Sequence, residues 1–171
     1  MLPKPIKHSY WVIPDKFLAG EYPRDFDEES SICKIKTLID AGIRTFIDLT
    51  EKADNLKPYD YLLKPYNSLD IQHFNFPIKD LSVPSSKKQT IEILGTIKKS
   101  IETGKIIYLH CWGGVGRTGV IVGCWLAENG YAGEKALIRL RELWMECAKS
   151  RKRKAPEKEL QEDYIMKWME N

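Results

Sequence analysis

The run Ile106-Ile107-Tyr108-Leu109 constrains the fold more than any other segment. Four consecutive apolar residues bounded by Lys105 and His110 leave no polar face for water. A strand of that kind needs cover on both sides, which is the condition of an inner strand in a parallel sheet. Parallel neighbours need long crossovers, normally helices. The rest of the chain supplies matching pieces. Short strands are expected at Trp11-Val12-Ile13 and Phe17-Leu18-Ala19-Gly20, around the turn residues Pro14-Asp15. Further strands are expected over 43–49, over 71–78 with Phe74, Phe76 and Ile78 on one face, and over 105–110. Helices are expected from Asp27 to the stop at Gly42, with Ile32, Ile35, Leu38 and Ile39 inward, and over 85–102, with Ile91, Leu94, Ile97 and Ile101 inward. Three more are expected over 117–128, over 134–147 and over 156–169; residues 50–69 read as loop with a short helix. The expected class is therefore α/β, a central mostly parallel sheet flanked by helices, and residues 1–171 are expected to form a single catalytic domain.

Composition excludes several classes. Hydrophobic residues at 43% and charged residues at 30% suit a globular chain, not a disordered one. No stretch approaches the roughly 18–20 apolar residues that span a bilayer. Met1–Lys7 has no apolar core of a secretory signal, so a cytoplasmic location is expected. A net charge of +3 is too mild to argue for nucleic acid. Cys33, Cys111, Cys124 and Cys147 fit neither a zinc set nor a disulfide scaffold, so no metal and no cofactor is expected. A monomer is expected.

The chemistry concentrates in His110-Cys111-Trp112-Gly113-Gly114-Val115-Gly116-Arg117-Thr118-Gly119, between the buried strand and a helix. A helix start offers free N–H groups and the positive end of the dipole. The glycines let successive N–H groups turn inward around one anion. Trp112, Gly113, Gly114, Val115, Gly116 and Arg117 are thus candidate phosphate-binding residues. The dipole and Arg117 favour the thiolate of Cys111, the nucleophilic form. The fork of Arg117 suits two phosphate oxygens, and Thr118 can donate to the cysteine sulfur. A thiolate in an oxyanion cradle points to covalent catalysis on a phosphate ester. Residues 114–119 also spell G-x-G-x-x-G, but the second strand and acidic residue of a dinucleotide fold do not follow. The lysine of a nucleotide-binding P-loop is absent, and sulfur-transfer loops that pair a cysteine with arginine differ in length.

His-Cys-x-x-x-x-x-Arg-Thr at residues 110–118 resembles the signature of the cysteine-dependent protein tyrosine and dual-specificity phosphatases. The Gly-Gly loop and the chain length look most like the small bacterial and kinase-associated branch. The resemblance implies hydrolysis of phosphotyrosine, and of phosphoserine or phosphothreonine, in proteins or peptides, through a cysteinyl phosphate and without metal. It implies Asp80 as general acid, because Pro84 follows four residues on as in the family's acid loop; Phe76-Pro77-Ile78 stands where the family's usual tryptophan would be. It implies a water-positioning glutamine, for which Gln161 is the candidate, Glu157 corresponding to the motif's first glutamine. His110 reads as structural, bonding the loop and tuning the thiolate. Asp48 and Glu51 close a strand at the same edge and read as cap or loop residues, His73 as a satisfied strand histidine, Cys124 as core, and the run from Lys149 to Lys154 as a solvated connector. Two alternatives stay open: a phosphoinositide or inositol phosphate phosphatase, and a catalytically silent phosphate-binding module. Against the first, the loop's variable positions carry no lysine.

Overall fold

The computed structural model describes residues 2–170. Five strands form one sheet: β1 (Ser9–Ile13), β2 (Phe17–Gly20), β3 (Ile43–Asp48), β4 (Gln72–Asn75) and β5 (Ile106–His110). Their order is β1-β2-β5-β3-β4, with β1 antiparallel to β2 and the remaining pairs parallel. The apolar run of β5 lies at the centre, as its lack of a polar face demands.

The helices are α1 (Glu28–Asp40), α2 (Asp60–Leu63), α3 (Lys87–Glu102), α4 (Gly116–Glu128), α5 (Glu134–Trp144) and α6 (Glu159–Lys167). Helices α1 and α2 cover one face of the sheet, where Leu18, Phe46 and Tyr108 meet Ile35, Leu38 and Leu63. The other face carries Phe17, Ile47, Ile107 and Leu109 beneath α3, α4, α5 and α6. Asp27 caps α1 by accepting from Ser30 N, and Ser86 caps α3 by accepting from Gln89 N.

Several expectations are corrected. Ile32 and Ile91 are exposed, not inward. The buried stripes run Ser31, Ile35, Leu38, Ile39 in α1 and Thr90, Ile93, Leu94, Ile97, Ser100 in α3. Small polar residues share each stripe, so both isoleucines fall one position, about 100° of helical turn, off the contact. The strand expected over 71–78 ends at Asn75, because Pro77 has no N–H to extend the ladder. Phe76 N and Ile78 N still donate to Asp48 O and Leu49 O. The last helix begins at Glu159 instead of 156. Residues 50–69 hold α2 and two 3-10 turns, Lys52–Asp54 and Lys64–Leu69.

Register decides where the site lies. Gly20 and Asp48 each pair with His110, and Asp48 pairs with Asn75. The carboxyl ends of four parallel strands therefore stand in one row, and the segments leaving them converge above it. In open α/β sheets this edge is where ligands bind.

Helix α4 is buried along almost its whole length and crosses α6 at Gly123. A Cβ there would come 2.4 Å from Cδ1 and 2.6 Å from Cγ1 of Ile165, itself fully buried. Alanine at position 123 would gain roughly 0.5–1 kcal/mol in helix propensity but overpack the crossing by about 1–3 kcal/mol. Gly123→Ala is expected to destabilise, and Ile165→Val in the same chain to restore part of the loss, as read by urea unfolding.

Candidate active site

Cys111 follows β5 and opens the loop that leads into α4. It is 3% exposed, at the base of a cleft of about 830 Å³. Trp112, Gly113, Val115 and Arg117 line the same cleft, and Asp80 and Leu81 reach it from the segment after β4. Helix α4 has no side-chain cap at its start. The loop fits because Gly114 has φ +74° and packs against the end of β2: a Cβ there would lie 2.4 Å from the carbonyl of Gly20. Glycine at 114 answers both the left-handed backbone and the close approach.

Arg117 is the second residue of α4, 2% exposed, and most of its fork is committed. Nη1 donates to Oδ2 of Asp54 at 2.7 Å and to the carbonyl of Ile78 at 3.0 Å. Nη2 donates to the other oxygen of Asp54 at 3.3 Å and pairs with Oδ1 of Asp80 at 3.1 Å. Nε is buried without a partner. Burial disfavours the charge, but Asp54 and the nearby Cys111 outweigh it and hold the guanidinium pKa above its ordinary value. Asp54 is a residue sequence reasoning missed. It ends the 3-10 turn after β3, where its Oδ2 also accepts from Glu51 N at 2.8 Å. The signal was its position: an acid a few residues beyond a parallel strand at the carboxyl edge.

Asp80 is half exposed, and Leu81 beside it has φ 59°. A leucine in the left-handed region costs roughly 1–2 kcal/mol, and the anchors around it hold it there. Gln89 Nε2 donates to Pro77 O at 2.9 Å, and Gln161 Nε2 donates to Ser82 O at 2.9 Å. Gln161 does not line the cleft. It is fully buried, and its carbonyl accepts from Glu157 N and Lys158 N. It fastens the segment of Asp80 to the start of α6, and its amide atoms stand 2.9 and 3.0 Å from where a Cβ on Gly116 would be. Glu157 does line the cleft, with its Oε2 2.6 Å from where a Cβ on Gly116 would stand.

His110 is fully buried. Its Nε2 meets Tyr59 Oη at 2.7 Å, and its Nδ1 lies 3.2 Å from Cys111 O. A carbonyl only accepts, so Nδ1 carries the ring proton, and Nε2 accepts from the Tyr59 hydroxyl, whose pKa burial pushes well up. The Nδ1–H then donates to the loop carbonyl. Burial also pushes the His110 pKa down, against the pull of Asp48, whose Oδ1 is 3.9 Å away. Asp48 accepts from Thr50 N and Oγ1 at 2.8 and 2.6 Å. Those are the bonds of the cap expected of it, and its Oδ2 also lies 3.9 Å from His73 Nε2. The Thr118 hydroxyl is buried without a hydrogen-bond partner, so the bond expected from it to the Cys111 sulfur is not made here. Trp112 is 54% exposed at the rim. Cys124 is core, and burial raises its thiol pKa; all four cysteines are free.

The run from Lys149 to Lys154 is not all solvated connector. Lys149 Nζ donates to Gly113 O at 2.9 Å and to Glu21 at 2.7 Å, and Arg153 bonds Glu157 at the cleft wall. Arg151, Lys152 and Lys154 stay exposed. Lys149, in the 3-10 turn Ala148–Arg151, Arg153 and Glu21 lie far from the loop in sequence, and no local pattern joined them to the site.

This fold and site correspond to a known class. The chain belongs to the DSP-PTPase phosphatase family. The family model described as "Tc-R-P: Polymorphic toxin system, DSP-PTPase phosphatase" matches residues 27–131. A protein of Invertebrate iridescent virus 3 named "Putative tyrosine phosphatase 067L" is 32% identical over 126 residues, 71% of this chain and 47% of that protein. The chain spans about half the length of the curated relatives it matches first. Among solved structures, Tk-PTP in its active form is 24% identical with a TM-score of 0.69, covering 100% of this chain and 99% of that one. The kinase associated phosphatase with its catalytic-site cysteine changed to serine is 16% identical with a TM-score of 0.72, covering 95% and 93%. Both share the sheet and helix arrangement. Among the described residues, no helix is long and apolar enough to cross a membrane.

Acid should weaken the fold through His110. Its folded-state pKa is depressed, so the unfolded chain binds the extra proton first. The stability it contributes is complete above about pH 6.5 and falls as pH drops below that value. His8, whose pKa burial also lowers, acts in the same window. Urea midpoints are expected to fall from pH 7.5 to pH 5.5, and less steeply in His110→Gln.

Proposed function

We propose that this chain is a protein phosphatase that hydrolyses phosphotyrosine, and with it phosphoserine or phosphothreonine, through a cysteinyl phosphate. The observation that carries the reading is the hydrogen-bond inventory of Arg117. A guanidinium has five N–H donors. Asp54 and Ile78 hold three of them. The remaining edge, Nε–H without a partner and the Nη2–H on Asp80, is the bidentate face a phosphate takes. It lies beside Cys111 and the uncapped start of α4.

In the proposed reaction, the Cys111 thiolate attacks phosphorus in line. The loop N–H groups and Arg117 take the equatorial oxygens, whose charge grows in the transition state. Phosphate competes with Asp80 for Nη2–H, so substrate entry frees the carboxyl group. Released from Arg117 and half exposed, Asp80 takes a proton from solvent and passes it to the departing phenol or alcohol. Thr118, whose hydroxyl has no other partner, donates to the sulfur when it leaves. Water attacks the cysteinyl phosphate with Asp80 as base, releasing inorganic phosphate. Glu157, which lines the cleft, and Gln161 beside it both stand against Gly116 and are the candidates to hold that water. His110 stays neutral and keeps the Cys111 carbonyl bonded.

Phosphotyrosine is the expected preferred small substrate, because an aryl oxide leaves more easily than an alkoxide. Matched phosphoserine peptides with equal or higher kcat/KM would overturn that preference. The inositol phosphate alternative lacks support at the rim: Lys149 and Arg153 come from outside the loop, but Glu21 and Glu157 already pair with them.

Hydrolysis of p-nitrophenyl phosphate, with chelator and reductant present, should persist in the native chain and vanish in Cys111→Ser. A folded native chain that binds vanadate but turns nothing over would establish the silent binding module instead. Asp80→Asn should lower kcat on phosphotyrosine peptides about 10²–10⁴-fold, and less on p-nitrophenyl phosphate, whose leaving group needs little help.

A further inference from the structure

Three successive carbonyls of the phosphate loop are bonded from outside it. Cys111 O accepts from His110 Nδ1 at 3.2 Å, Trp112 O from Tyr22 N at 2.9 Å, and Gly113 O from Lys149 Nζ at 2.9 Å. In a planar trans peptide, C=O and the following N–H point in opposite directions. Fixing these carbonyls therefore fixes the N–H groups of Trp112, Gly113 and Gly114. None of the three has a hydrogen-bond partner among the described residues.

The first two anchors are local to the sheet edge. His110 precedes the loop, and Tyr22 follows β2. The third differs. The 113–114 peptide joins two glycines, where rotation meets the least steric resistance. Its anchor is a lysine from the segment after α5, beyond residues 27–131 that the family model matches. Lys149 is built into place. Glu21 takes it through one oxygen and Lys34 through the other, each at 2.7 Å. Tyr108 Oη donates to the Glu21 backbone carbonyl, fixing that residue to β5. The Lys34 side chain is 8% exposed and that of Glu21 18%, so the charges are partly desolvated and the geometry is held.

We propose that Lys149 is a positioning residue for the phosphate cradle: it holds the Gly113 carbonyl outward, so that Gly114 N–H is aimed at the bound oxyanion. Without it the Gly-Gly peptide can rotate and present a carbonyl to the phosphate. That exchanges a donor for a repulsive acceptor.

The inference rests on the phosphatase reading, and the two fail separately. If the reading is wrong, the native chain does not hydrolyse p-nitrophenyl phosphate. If the anchor is wrong, the native chain is active and the variant matches it. Removing a direct oxyanion donor costs about 10²–10³-fold in kcat, and an anchor acting through a donor is expected near a tenth of the lower figure, ~10-fold. Lys149→Met should therefore raise the vanadate inhibition constant and lower kcat by about that factor, with KM changed less. Lys149→Arg should restore most of both.

Lys152→Met, on an exposed side chain of the same run, separates anchoring from the general positive field. Equal losses in Lys149→Met and Lys152→Met would overturn the proposal, as would native vanadate affinity and kcat in a cooperatively melting Lys149→Met. If Lys149→Met does not fold, Glu21→Gln keeps the ammonium and removes the carboxylate that places it. Weaker vanadate inhibition there supports the anchor, and unchanged inhibition overturns it.

Discussion

The buried pair of Arg117 with Asp54 organises the site. An arginine at the second position of a buried helix would be costly alone, and a carboxylate three-hundredths exposed would be as well. Together they gain geometry more than stability, since desolvation cancels much of the attraction in a buried ion pair. What the pair fixes is direction. Two donors lie on Asp54 and a third on Ile78, so the guanidinium plane cannot turn, and its Nε–H is left without a partner. The pair also ties the segment after β3 to the helix after β5, two elements related only through the sheet. Asp80 then adds a half-exposed contact on Nη2.

The sheet makes that arrangement possible. Gly20, His110, Asp48 and Asn75 end four strands in register, so each following segment starts level with the others. Small residues then let the segments close together. The backbones at Gly20 and Gly114 come nearer than any side chain would permit. The acid segment is held by Gln89 and Gln161, with Leu81 confined to an unfavourable backbone angle between them. Rigid flanks and a strained tip place Asp80 against Arg117.

What could be read from the chain followed from the range of each interaction. The loop from His110 to Thr118 is contiguous, so spacing alone brought its residues together, and the apolar run of β5 announced a central strand. Helix starts at Asp27 and Ser86 follow local capping chemistry. Ile32 and Ile91 were misplaced because Ser31 and Thr90, small and polar, occupy the buried stripe, and hydrophobic periodicity does not count them. Asp54, Glu21 and Lys149 were invisible for another reason. Their partners are distant in sequence, and a lone acid or a lysine in a basic run carries no mark of the contact awaiting it. Gln161 was singled out by family resemblance; that its amide also joins the segment of Asp80 to the start of α6 is a long-range contact that no local pattern marks.

The contact between Gly20 and Gly114 has a consequence in time. Strand β2 is made early in synthesis and has β1 on one edge, yet its other edge waits for β5, roughly ninety residues later, and loop closure of that length delays a sheet. Gly113 then waits for Lys149. A growing chain thus carries Cys111 out of the ribosome before the residues that enclose it exist. The seclusion of that thiol and its cradle arrive together, when the segment after α5 folds back over the loop.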